Sequence, residues 1–238
     1  MQGEGIIEEL VLLDGKPAAR ILCAPSLIPA PGRYLLAHAN GSDSRPALYP
    51  SVLAASIFST KSFPDTSASA GGFLCAPPIP ESWTPGTRLN LRGPLGHGFD
   101  LPVAARRVTL IAFDDLPRRL LALLDSILRQ DASVALICGN PPDDLPPEVE
   151  VQPMSALADI CNWADYIAMD AARGSLPELK KMFGMGSPLG VRGEAQILIR
   201  TPMPCGGLAE CGVCAVEGRK DPQLACEDGP VFDLNELT

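Results

Sequence analysis

Short apolar runs divided by Pro, Gly and Ser dominate the first hundred residues: "GIIEELVLL" (5–13), "RYLLAHA" (33–39), "GGFLCA" (71–76) and "TRLNLRG" (87–93). Runs of this length with turn formers between them predict short antiparallel strands in a barrel or sandwich, assigned to residues 1–103. From residue 107 the pattern changes. "RVTLIAF" (107–113) is a compact apolar run, "PRRLLALLDSILRQ" (117–130) has helical spacing behind a proline, and "SVALICG" (133–139) is a second apolar run ending in Gly. That is a βαβ unit. The order continues with a strand "VEVQ", a helix near 155–163, a strand "DYIAMD", a helix "SLPELKKMFG" and a strand "EAQILIR". An open, mostly parallel α/β sheet is therefore expected over residues 104–201. Residues 202–238 form a third, cysteine-rich unit, and the chain has no internal repeat or low-complexity tract.

Charge narrows the partners. The formal net charge of −9 excludes a phosphate-backbone partner, which needs concentrated Lys and Arg, so no nucleic acid is expected. The amino terminus "MQGEGIIEELVLLDGKPAARILC" lacks the basic start of a signal peptide, and no apolar run reaches the roughly 18 residues that span a bilayer. The expectation is a cytoplasmic protein without a membrane partner, whose thiols stay reduced, so that a cysteine cluster points to metal rather than to disulfides. Cys23, Cys75, Cys138 and Cys161 lie among apolar neighbours and read as buried small hydrophobes.

The other four of the eight cysteines fall within the last 34 residues. Five residues separate Cys205 from Cys211, two separate Cys211 from Cys214, and eleven separate Cys214 from Cys226. Four thiolates suit zinc or an iron–sulfur cluster. A structural zinc site usually shows two tight knuckles; one wide pair, one tight pair and a remote cysteine resemble the plant-type [2Fe–2S] arrangement instead. Gly206, Gly207 and Gly212 lie inside the ligand loop, where the backbone must wrap closely around sulfide and aim N–H groups at sulfur.

The tail "MPCGGLAECGVCAV…ACEDGPVF" resembles the iron–sulfur domain of the electron-transfer subunit of NAD-linked dihydroorotate dehydrogenase. "PGTRLNLRGPLGHGF" (85–99) is similar to the end of that family's flavin-binding barrel, and "PGRYLLA" (31–37) to a strand within it. The resemblance covers nearly the whole chain and implies a ferredoxin reductase-like architecture: β barrel, α/β domain, then a C-terminal [2Fe–2S] domain. It implies Cys205, Cys211, Cys214 and Cys226 as ligands, an FMN-containing catalytic subunit as partner in a hetero-oligomer, and a place in pyrimidine biosynthesis. The family has four residues between its first two cysteines where this chain has five.

Elsewhere the chain departs from the family. The flavin-binding Arg-Pro-x-Ser/Thr strand aligns with "VLAASIF" (52–58), where Ser56 survives but Leu53 and Ala54 replace arginine and proline. A Gly-x-Gly-Thr turn aligns with "CAPP" (75–78), and proline has no N–H to give a phosphate. Arg45, in "SDSRPALYPS", is read as a solvent-facing loop arginine, with a displaced Arg-Pro as the alternative. A dinucleotide domain needs a Gly-rich turn after its first strand. Here that turn is "FDDLPRR", whose Asp114 and Asp115 are read as helix-capping carboxylates that repel a phosphate. The family's Cys-Gly-Pro segment beside the nicotinamide becomes "AMDAARG" (168–174). His97 reads as a turn residue at the barrel edge.

Three readings remain open from sequence. In the first, the chain is a [2Fe–2S] electron relay for a flavoprotein, with its FAD and NAD sites lost and no catalysis of its own. The second is a complete FAD/[2Fe–2S] subunit linking dihydroorotate oxidation to NAD. The third is an assembly subunit whose zinc- or cluster-bound tail only folds a docking surface.

Overall fold

The computed structural model describes residues 1–40, 45–52, 71–114, 116–182 and 193–237. Seven strands form the first sheet: β1 (Gln2–Leu13), β2 (Lys16–Cys23), β3 (Tyr34–Ala39), β4 (Ala47–Leu48), β5 (Pro50–Val52), β6 (Gly71–Cys75) and β7 (Arg88–Leu95). Their order is β4-β3-β7-β1-β2-β6-β5, with every pair antiparallel. Only Tyr49 separates β4 from β5, which lie on opposite edges, so one short segment joins both edges and closes the sheet into a barrel. Barrel closure removes exposed edges. Asp14 and Gly15 turn β1 into β2 with φ of 52° and 75°, the left-handed pair that an Asp-Gly hairpin provides. The interior holds Ile7, Ile21, Leu35, Phe73, Leu89 and Leu91.

The second sheet contains β8 (Arg107–Ala112), β9 (Ser133–Ile137), β10 (Val149–Gln152), β11 (Tyr166–Ala172), β12 (Glu194–Arg200) and, from the tail, β15 (Val231–Asp233), in the order β10-β9-β8-β11-β12-β15. The first five are parallel, and β15 adds an antiparallel edge. A two-stranded ribbon, β13 (Ala215–Val216) and β14 (Gln223–Leu224), lies within the tail. The strands read from sequence match closely because burial on both faces demands continuous apolar runs. The helices match less well: residues 117–123 form two 3-10 turns before α1 (Leu124–Arg129), and α2 (Leu157–Trp163) and α3 (Leu176–Met182) each follow a 3-10 turn. No helix among the described residues is long and apolar enough to cross a membrane.

One expectation on a single residue changes. Asp114 does not cap the helix; its carboxylate accepts from Ala172 N–H at 2.8 Å and pairs with Arg200, while the first 3-10 turn starts behind Leu116 with no side-chain cap. Asp115 and Ser56 lie outside the described residues.

Candidate iron–sulfur centre and interdomain crevice

The loop that carries Cys205 and Cys211 bends through left-handed residues: Gly206 and Gly207 (both φ 69°), Ala209 (φ 58°) and, after Cys211, Gly212 (φ 66°). A left-handed alanine costs roughly 1–2 kcal/mol, so this loop holds a shape that its local sequence would not adopt unaided. The bends turn backbone N–H groups inward. Those of Leu208 first, then Glu210 and Cys211, together with the Cys211 thiol, pull the Cys205 thiol down to about 6. A thiolate at neutral pH is the form that binds metal. Cys226 behaves oppositely: burial first, then the neighbouring Cys214, pushes it up to about 11, against the N–H of Ala209.

The sulfurs stand in two pairs. Cys214 and Cys226 are buried with their sulfurs 3.3 Å apart. Cys205 hydrogen-bonds the side chain of Cys211, which is exposed. Among the described residues no group of three or more His, Cys, Asp or Glu side chains closes on a single metal point. Around one tetrahedral zinc, four sulfurs at about 2.3 Å from the metal would all stand within about 4 Å of one another. Two sulfur pairs with amides aimed at Cys205 and Cys226 form a thiolate ligand set of the kind that holds an iron–sulfur cluster.

The barrel holds the tail around Cys226 at two places. Tyr34 of β3 donates its hydroxyl to Cys226 O at 3.2 Å, and that hydroxyl lies beside Gly207, where a Cβ would come within 3.1 Å of its oxygen. His97, just past the end of β7 at the barrel edge, also meets the tail: its Nδ1 stands 2.8 Å from Asp228 O and its N–H donates to Gly229 O at 2.5 Å. The two motifs "GPLGHGF" and "CEDGPVF" are thus one contact. Nothing in their separate patterns signals it.

The interdomain crevice is built differently. In an open α/β sheet, ligands sit beyond the carboxyl ends of the strands where the order reverses, here between β8 and β11. That point is filled with side chains. Asp170, 1% exposed, accepts from Arg119 Nη1 at 3.2 Å and from Arg200 Nε at 2.6 Å, and Arg200 also pairs with Asp114. Arg119 further donates to Pro77 O at 2.7 Å and lies 5.8 Å from the ring centre of Tyr49. Arg119 and Arg200 were not singled out in the sequence; their pairing partners lie 51 and 30 residues away. The switch point thus carries a network of two arginines and two carboxylates.

Beside the network a cavity of about 700 Å³ remains, lined among others by Arg45, Pro46, Tyr49, Pro77, Arg200 and Thr201. Arg45, exposed as a loop arginine was expected to be, begins the segment that closes the barrel and lies at the rim of this cavity. Cys23 and Cys75, pushed up to about 12, and Cys161, pushed up to about 11, are protonated core residues held so by burial, as expected.

Comparison with known proteins agrees with this division. The family model "iron-sulfur cluster binding domain of dihydroorotate dehydrogenase B" matches residues 201–238. No curated protein matches the chain. Among solved structures, the NADH-dependent reduced ferredoxin-NADP oxidoreductase, studied for flavin-based electron bifurcation, is 13% identical with a TM-score of 0.68, covering 98% of this chain and 89% of that one. The FAD-free ferredoxin reductase of carbazole 1,9a-dioxygenase is 14% identical with a TM-score of 0.55, covering 79% of this chain and 64% of that one. The FAD/NAD-binding domain of nitric oxide dioxygenase from Vibrio cholerae O1 biovar El Tor is 13% identical with a TM-score of 0.52, over 84% and 98%. Such identities establish the fold, and the tail match establishes the cluster-binding segment. The chain thus has the ferredoxin reductase-like fold with a C-terminal iron–sulfur cluster-binding domain, and it resembles the electron-transfer subunit of dihydroorotate dehydrogenase B.

Proposed function

We propose that this protein is an electron relay built on one [2Fe–2S] cluster held by Cys205, Cys211, Cys214 and Cys226. The observation that carries the reading is the arrangement of the four cysteines as two pairs inside a loop of inward-turned amides. When bound, the cluster accepts and releases one electron at a time. The chain's own residues supply the thiolates, the amide hydrogen bonds and the shielding of Cys214 and Cys226 beneath Tyr34. Cys211 faces solvent between Leu208 and Val213, which are 49% and 41% exposed. That rim is where a flavoprotein such as an FMN-containing catalytic subunit would approach.

The ion network at the switch point supports loss of the nicotinamide site, so electrons reach the cluster from a partner rather than from NADH. A second reading keeps FAD, and the crevice cavity headed by Arg45 favours it. Anaerobic purification with iron, acid-labile sulfide and flavin analysis separates these. The expected result is about two irons and two sulfides per chain, a rhombic resonance after chemical reduction, and no reduction by NADH alone. One released FAD per chain would establish the second reading, and zinc in place of iron would overturn both.

A further inference from the structure

Arg92 and Arg173 have no part in the function read so far, yet both reach the cluster loop. Arg92, on the outer face of β7 and paired across to Leu36 of β3, donates Nη1 to Gly206 O at 2.9 Å. Arg173, the first residue after β11, donates Nη1 to Val213 O and, at 3.2 Å, to Ala215 O. One arginine thus comes from the barrel and one from the α/β domain. They hold the carbonyls immediately after Cys205 and on both sides of Cys214.

Two physical consequences follow. In a trans peptide the C=O and N–H point in opposite directions, so a guanidinium that fixes a carbonyl outward also fixes the orientation of the next amide. Arg92 does this for the Gly207 amide, and Arg173 for those of Cys214 and Val216. The second consequence is charge. From Cys205 onward the tail has seven acidic residues against two basic ones, Arg219 and Lys220. Positive charge at the ligand loop is brought in by the other two units.

Resting on the iron–sulfur reading above, we propose that Arg92 and Arg173 are positioning residues that raise the reduction potential of the centre held by the four cysteines. Reduction adds negative charge to a site ringed by thiolates, and fixed amides and nearby cations stabilise the more negative state.

The test is a redox titration of the intact chain with its cluster, followed by visible absorption, for the native protein and for Arg92→Gln, Arg173→Gln, Arg92→Lys and Arg173→Lys. Each Gln variant is expected to lower the ratio of reduced to oxidised centre at a fixed poise, on the order of threefold to tenfold, and each Lys variant by less. Unchanged midpoints in both Gln variants at full iron and sulfide content overturn the proposal and leave the electron-relay reading intact. Should a Gln variant hold no iron, the matching Lys variant decides: a lowered midpoint supports the proposal and an unmoved one overturns it. A native protein without iron or sulfide overturns both.

Discussion

The cluster loop and the interdomain crevice are both polar sites between units, but one is made of backbone and the other of side chains. In the loop, the donors are amides of consecutive residues turned inward by left-handed bends at Gly206, Gly207, Ala209 and Gly212. At the crevice, two arginines and two aspartates come from four segments, and their charges cancel locally. A backbone site is specified by a short stretch of sequence. A side-chain network exists only once the strands are stacked. Substitutions should therefore act on the loop through ligand content and on the crevice through stability.

The largest effect expected is at the ligands. Cys226→Ser and Cys214→Ser remove a soft thiolate from the buried pair, and iron content should fall from its native value to near zero. Folding of the barrel should persist, since its core is separate. Iron analysis with far-UV circular dichroism checks both halves, and full iron in either variant would break the ligand assignment.

Asp170→Ala attacks the other side of the contrast. It leaves Arg119 and Arg200 without their shared carboxylate at a position 1% exposed, and removing one partner of a buried ion pair costs about 3–5 kcal/mol. Denaturant unfolding should show that loss. If cluster content collapsed while the unfolding midpoint held, the crevice would be part of the cluster site and the distinction would fail.

How far each region was legible follows from the same division. Cys205, Cys211, Cys214 and Cys226 announce themselves by spacing, and the strands by apolar runs that must bury both faces. The carboxylate of Asp114 reads equally well as a helix cap or a strand-end ligand, and only the register of β8 beside β11 brings Ala172 N–H to it. His97 shows the same limit: no local pattern says that it will meet Asp228, 131 residues later. Arg45 is exposed, as its loop setting implies, and only the pairing of the segment from Pro46 to Val52 with both β3 and β6 brings it to the crevice.

A smaller effect separates shape from composition within the glycines. Gly207→Ala forces a Cβ onto a residue at φ 69° and to within 3.1 Å of the Tyr34 hydroxyl, costing roughly 1–2 kcal/mol. Gly139→Ala meets nothing within 4 Å and should be near neutral. Thermal unfolding of the two variants side by side measures the difference. Equal midpoints would mean that the loop relaxes around its glycines and that its shape is not specified by them.

The smallest effect lies at the margin of the barrel, where Arg118 joins it to the α/β domain. Arg118 forks onto Asp14 of the first hairpin at 2.7 Å on both sides and reaches Asp144 at 3.0 Å. The hydrogen bond from Arg118, opposed by burial, holds the Asp144 carboxyl below its ordinary 3.8. Its pKa is lowered on folding, so its contribution is present above pH 3.8 and is lost as the pH falls through the folded value. The Asp144 side chain is 62% exposed, which screens the pair and limits it to a few tenths of a kcal/mol. Unfolding of the native chain and Asp144→Asn should therefore differ slightly at pH 7 and converge toward pH 3. A difference that grew on acidification would show that Asp144 is protonated when it meets Arg118, and the unit-joining contact would then rest on Asp14 alone.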